Sequence, residues 1–199
     1  MNGREALQRL LEGNGRYLAG ECAGAGHHAG RRSETACGQE PFAIILGCSD
    51  SRVPPEVIFD CGIGDLFTVR VAGGVAGDQV VGSIEYAAGH LGTPLLLVLG
   101  HTSCGAVTSA VAGGEHEGHI GSVLCELHEA VEASQDSCAG EMEGDERILA
   151  AVRENALMIA GKLRTSEPVL KKLVDGGSLL VAAALYDIRS GTVSILEKG

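Results

Sequence analysis

A chain of 199 residues has room for one compact domain with a sizeable core. Its formal net charge of −11 argues against nucleic acid or an anionic membrane as partner, and with no tryptophan and only 3% aromatic residues it offers no stacking platform for bases. Seven cysteines, an odd number, in a chain whose first twenty residues lack a signal-peptide core, predict a cytoplasmic protein whose thiols are free or bind metal rather than form disulfides.

Residues 4–18 place Leu7, Leu10, Leu11 and Leu18 at helical spacing and predict an amphipathic helix. A connector without periodicity, rich in Gly, Ala and His, follows over 19–40, so that residues 1–40 form an arm of a single domain spanning 1–199. "FAIILG" (42–47) predicts a buried strand ended by glycine, "DLFTVRVAGG" (65–74) a second strand, and "DQVVGSIEYAAGHLG" (78–92) a helix stopped at Gly92. "PLLLVLG" (94–100) predicts a third strand and residues 103–112 the helix after it. Residues 112–122 read as a loop, 122–133 as a helix, the next stretch as a loop again, and 145–164 as a long helix. Over 166–177 a short helix is predicted, with Ser166 as N-cap and Gly176 beyond its end. "SLLVAAALYDI" and "TVSIL" predict two strands joined at "RSG" as an antiparallel hairpin on an edge. Alternating apolar strands and helices indicate an α/β fold, a mainly parallel central sheet with flanking helices. No apolar run approaches the roughly 20 residues of a membrane span. The leucines of the first helix lack an evident partner in a small sheet protein, which predicts that this helix packs across a dimer.

The chemistry concentrates where two buried strands end. In "ILGCSDSRVPPE" (45–56) the strand stops at Gly47 and is followed by Cys48, Asp50 and Arg52; another strand stops at Gly100 and is followed by His101 and Cys104. Sites in open α/β sheets form just beyond the carboxyl ends of the strands, which would bring Cys48, His101 and Cys104 together. Two thiolates and an imidazole suit zinc, and three protein ligands leave the open fourth position of a catalytic site. Arg52 would hold Asp50 ionised and oriented to accept a hydrogen bond from water on the metal; released, Asp50 would close the site as fourth ligand. A lone buried cysteine is usually core and H-x-x-C alone is weak; the combination with C-x-D-x-R, each after a buried strand, carries the signal.

Other features are bland. "EHEGH" (115–119) lacks the helical His-Glu-x-x-His spacing and reads as a solvated loop. "CGIGDLF" has Phe67 where a dinucleotide fingerprint needs its third glycine. Cys22, Cys37, Cys61, Cys125 and Cys138 show no pairing pattern, and the His27–His28 pair sits in the connector.

"CSDSRVPPE" and "GHTSCGAV", with "DLFTVRVAGG" and "SIEYAAGHLG" between them, resemble the β-class carbonic anhydrases over most of the chain. The resemblance implies reversible hydration of carbon dioxide to bicarbonate and a proton, one zinc per subunit on Cys48, His101 and Cys104, and Asp50 with Arg52 as a catalytic dyad. It also implies a homodimer or a multiple of dimers with clefts at the dimer interface. By position Gln39, Phe67 and Tyr86 match substrate-pocket residues of the plant-type branch: an amide donor for a substrate oxygen and an apolar lining. The other branch builds a regulatory bicarbonate site partly on tryptophan; Ile45 stands in that place here, which predicts water rather than Asp50 on zinc at neutral pH. Gly74 departs from the "AGN" of many relatives and is expected to loosen its loop. His90, His116 and His119 are proton-shuttle candidates by residue type alone. Hydrolysis of carbon disulfide or carbonyl sulfide on the same zinc, or a catalytically silent zinc sensor, are the alternatives.

Overall fold

The computed structural model describes residues 1–22, 26, 29–114, 116–136 and 144–198. Five strands, β1 (Ala43–Gly47), β2 (Leu66–Arg70), β3 (Leu95–His101), β4 (Leu180–Tyr186) and β5 (Val193–Lys198), form one sheet in the order β2-β1-β3-β4-β5. The first four run parallel and β5 pairs antiparallel with β4, the predicted edge hairpin. Around the sheet lie α1 (Gly3–Ala19), α2 (Ala29–Thr35), α3 (Pro55–Ile58), α4 (Asp78–Glu85), α5 (Gly105–Ala112), α6 (Ile120–Asp136), α7 (Asp145–Arg164) and α8 (Leu170–Asp175).

The central strands are apolar on both faces because both faces are covered. Ile45, Leu97, Leu99 and Ala184 face a core closed by α1 and the α3 region, with Leu7, Leu10, Ile58 and Phe59. Ile44, Leu46, Val98 and Ala183 face the opposite core, with Ile84, Ile159, Leu163 and Leu170. A third cluster, under α5, α6 and α7, holds Cys48, Cys104, Val107, Leu127, Val131 and Val152.

The N-terminal helix finds partners for two of its leucines within its own chain. It begins with a capping box, in which the Asn2 side chain accepts from the amides of Arg4 and Glu5 at 3.0 Å each and Glu5 accepts from the Asn2 amide at 2.8 Å. Leu7 and Leu10 are then buried in the core of this chain, while Leu18 stays 46% exposed. Helix α1 and the end of α3 approach so closely that a Cβ on Gly13 would lie 1.9 Å from the Phe59 carbonyl oxygen. Next to it, buried Asn14 donates to the carbonyls of Ile58 (3.2 Å) and Gly191 (2.9 Å) and accepts from the Val193 amide (3.0 Å).

Three smaller departures have local causes. Helix α2 interrupts the predicted connector; it buries none of its residues, so it leaves no apolar periodicity, and it is tied down by Arg31 Nε donating to the Ile63 carbonyl at 2.9 Å. The helix over 78–92 turns into a π-helical stretch from Tyr86 to His90. Ser166 is not an N-cap: α8 starts at Leu170, because Pro168 disfavours helical geometry at Glu167, and the Lys171 amide instead bonds the Ser166 carbonyl at 2.9 Å. No helix among the described residues is long and apolar enough to cross a membrane.

Candidate metal centre

The strand order places the centre. From β1 the chain goes to one side for β2 and to the other for β3, so the carboxyl ends of β1 and β3 flank a topological switch point, where crevices form in doubly wound sheets. Gly47 and Leu99 are partners in the β1–β3 ladder, so the residues leaving the two strands emerge side by side. The second glycine serves packing, since a Cβ at Gly100 would meet Val152 Cγ1 of α7 at 3.1 Å.

Cys48, His101 and Cys104 are buried, and their ligand atoms all lie within 4.8 Å of one another, the only such group of three among the described residues. The two sulfurs are 4.0 Å apart. A tetrahedral zinc with bonds to sulfur of about 2.3 Å would space them at roughly 3.8 Å, close to what is observed. The imidazole is set for the same task. Its Nδ1 faces the Thr102 carbonyl at 2.9 Å, and since a carbonyl only accepts, Nδ1 carries the proton. Nε2 is thereby a lone pair, and it is buried without a hydrogen-bond partner. An orphaned imidazole nitrogen beside two buried sulfurs is a donor set that fits a borderline-soft metal ion.

The thiols are electronically unequal. The Cys48 thiol is driven well below its usual range, chiefly by the hydrogen bond from Cys104 and, against the cost of burial, by the amides of Asp50 and Gly73. The same pairing with Cys48, together with burial, pushes Cys104 up. The Gly73 amide lies 3.3 Å from Cys48 Sγ. Gly73 sits in a 3-10 turn (Ala72–Gly74) held beside the end of β1 by two backbone bonds, Val71 amide to Gly47 carbonyl and Ser49 amide to Val71 carbonyl, both 3.2 Å.

Beside the cluster, Arg52 grips Asp50. Nε and the backbone amide each donate to Oδ1 at 2.9 Å, and one terminal nitrogen donates to Oδ2 at 2.7 Å and to the Ser103 carbonyl at 3.2 Å. This bidentate contact holds the Asp50 carboxyl far below the usual carboxylate range, against the cost of burial and with help from the Arg52 amide and charge. Asp50 does not belong to the group of gathered ligand atoms. Arg70, from the end of β2, adds a second brace by donating to the carbonyls of Cys48 at 3.0 Å and Asp50 at 2.6 Å.

The three predicted pocket residues lie apart from this centre. Gln39 is exposed. Phe67 packs at the edge of the α4–α7 core, not in the cluster that holds the cysteines. Tyr86 is 49% exposed and sits between Phe67 (ring centroids 6.3 Å) and His90 (5.4 Å) in an aromatic row. His90, His116 and His119 are exposed. Ile45 is fully buried beneath α1. Gly74 has φ +66°, a backbone that glycine and asparagine adopt most readily, so it stands in a defined turn. Cys22, Cys37 and Cys125 are exposed free thiols, and buried Cys61 is pushed up to about 12, first by burial and then by Asp65. Cys138, Glu115, His27 and His28 lie outside the described residues.

Two further residues shape the centre without a linear signature. The signal for Arg70 is slight: a lone cation at the carboxyl end of a predicted strand. Asn155, buried in the middle of α7, donates to the Gly73 carbonyl at 3.0 Å, a contact 82 residues distant in sequence that no motif announces.

Comparison with known proteins agrees with this geometry. The family model described as "Carbonic anhydrase" matches residues 43–193. The chain is 37% identical over 186 residues to "Carbonic anhydrase 2" of Mycobacterium tuberculosis, covering 94% of this chain and 89% of that protein. It is 33% identical over 191 residues to "Carbonic anhydrase" of Mycolicibacterium smegmatis, covering 96% and 91%. Among solved structures it is similar to a Coccomyxa β-carbonic anhydrase in complex with acetazolamide (TM-score 0.78, 26% identity, covering 96% of this chain and 86% of that one). It is also similar to one of two tetrameric β-carbonic anhydrases from Sordaria macrospora (TM-score 0.77, 25% identity, covering 82% and 84%). With its matched segment containing both strand ends and all three gathered donors, the chain belongs to the β-class carbonic anhydrase family.

Proposed function

We propose that this protein is a zinc-dependent enzyme catalysing the reversible hydration of carbon dioxide to bicarbonate and a proton. The observation that carries the reading is the buried trio Cys48, His101 and Cys104, with the unpartnered His101 Nε2 aimed among two sulfurs and an oriented Asp50–Arg52 pair alongside. Zinc on these donors would supply the Lewis acidity that makes hydroxide available near neutral pH.

The chain's own groups do the rest. Asp50, kept ionised by Arg52, is a hydrogen-bond acceptor and not a proton store: it takes the hydrogen bond of the attacking water and aims its lone pair at the substrate carbon. Arg52 also keeps Asp50 turned away from the ligand cluster, so that zinc held by Cys48, His101 and Cys104 would remain accessible to water at neutral pH. Arg70 fixes the backbone carrying Cys48 and Asp50. Phe67 and Tyr86 supply the apolar wall and Gln39 an amide donor for a substrate oxygen, as in plant-type members. Because one chain leaves Gln39 and Tyr86 exposed, a homodimer or a multiple of dimers completes the pocket with a second copy. The protein works in the cytoplasm.

Stopped-flow hydration of carbon dioxide with a pH indicator, on protein of measured zinc content, tests the reading. A rate that tracks zinc occupancy and collapses in Asp50→Ala is expected. A zinc-loaded protein inactive on carbon dioxide overturns it, and activity on carbon disulfide or carbonyl sulfide would then identify the substrate.

A further inference from the structure

Cys48 Sγ receives a backbone N–H from Gly73 at 3.3 Å, and the next carbonyl, that of Gly73 itself, receives the buried amide of Asn155 at 3.0 Å. Gly73 is held there by three further constraints. Its φ is +71°, a region that side-chain-bearing residues avoid. A Cβ would meet Leu127 Cδ1 of α6 at 3.0 Å and Ala106 Cβ of α5 at 3.4 Å. The turn itself hangs from the end of β1 through Val71. Asn155 is 7% exposed on a helix whose other buried residues are all apolar, so its amide is a costly choice that the bond to Gly73 explains.

We propose that Asn155 is a positioning residue for the metal centre: from α7 it anchors the carbonyl on the far side of the Gly73 Cα, and through that residue's constrained backbone keeps the Gly73 N–H aimed at the Cys48 thiolate. The consequence is electronic as well as geometric. An N–H donated to a metal-bound thiolate withdraws electron density from sulfur, so Cys48 gives up less charge to the metal and the metal stays a stronger Lewis acid. This offsets part of the weakening that two thiolate ligands impose. Asn155 touches neither substrate nor metal and acts only through Gly73.

The inference rests on the zinc reading, and the test separates the two. Wild type, Asn155→Leu (near-isosteric, without donor) and Asn155→Ala (no added bulk, for use if the leucine variant does not fold) are stripped of metal and reloaded. Zinc affinity is measured by chelator competition and the thiolate-to-cobalt charge-transfer band is recorded on the cobalt forms. Asn14→Leu is the control, an equally buried asparagine whose partners are Ile58, Gly191 and Val193. The expected result is a roughly 10- to 100-fold loss of zinc affinity and a charge-transfer band at lower energy in the Asn155 variants only, since outer-shell partners are typically worth that much. Unchanged affinity and band in a folded Asn155 variant overturn the proposal, as do equal changes in Asn14→Leu. Wild-type protein that gives no thiolate band with cobalt refutes the metal reading instead.

Discussion

The buried trio at the switch point and the aromatic row Phe67–Tyr86–His90 are both built from residues expected to serve one reaction, yet they are constructed in opposite ways. The trio is sealed inside one chain: each member is at most 7% exposed, and backbone groups of Gly73 and Thr102 hold Cys48 and His101. The row lies open, with Tyr86 half exposed. Holding a metal needs donors fixed to within tenths of an ångström, which a sheet and its packed helices provide. Lining a pocket for a small neutral gas needs only an apolar surface, which a second copy can complete. Ligand geometry is thus an intramolecular property, and on our reading the pocket is an intermolecular one.

Substitutions should separate the two regions by the size and kind of their effect. The largest effect is expected from His101→Ala or Cys104→Ala, which should reduce both zinc content and carbon dioxide hydration to background; metal analysis with stopped-flow kinetics checks this. Next, Asp50→Asn should lower turnover by about 10²–10⁴-fold with zinc content unchanged, because it removes only the orienting acceptor. Zinc lost together with activity would show Asp50 to be part of the metal scaffold. On the opposite face of the sheet, Leu10→Ala should cost about 2–5 kcal/mol in chemical denaturation, since Leu10 is fully buried within its own chain. A variant of unchanged stability would show that Leu10 does not hold this core together. Tyr86→Ala should give a smaller change, about tenfold in kcat/KM, with thermal stability and zinc content preserved. The smallest signal is chemical: brief alkylation of the native protein should label exposed Cys22, Cys37 and Cys125 and spare Cys61, whose thiol burial keeps protonated, as peptide mapping would show.

Most of the scaffold was legible because it is written in local patterns. Short apolar runs ended by glycine marked β1 and β3, and the rule that sites lie past the carboxyl ends of strands led from Gly47 and Gly100 to all three metal donors. Two kinds of feature escaped. Elements stabilised by polar contacts rather than by an apolar stripe, such as α2, carry no periodicity to read. Contacts between residues far apart in sequence, such as Asn155 with Gly73 or Asn14 with Val193, depend on which helix lies over which strand end, and that is fixed only by the completed packing. The in-chain partners of the N-terminal leucines were hidden for the same reason: Phe59 and Leu97 among them lie beyond the connector, and sequence alone did not show that the helix folds back onto its own sheet.

The route by which the donors meet has a kinetic meaning. Cys48 and Cys104 are 56 residues apart, and nothing local draws them together; they become neighbours when β1 and β3 pair in parallel, a contact that must first meet the entropy of closing a long loop. His101 and Cys104 alone offer an ion only two donors. A metal ion therefore cannot nucleate this fold as it does in a small zinc module, where ligands a few residues apart are gathered by the ion itself. On the zinc reading, the sheet is expected to assemble first and the ion to be captured among the last events of maturation.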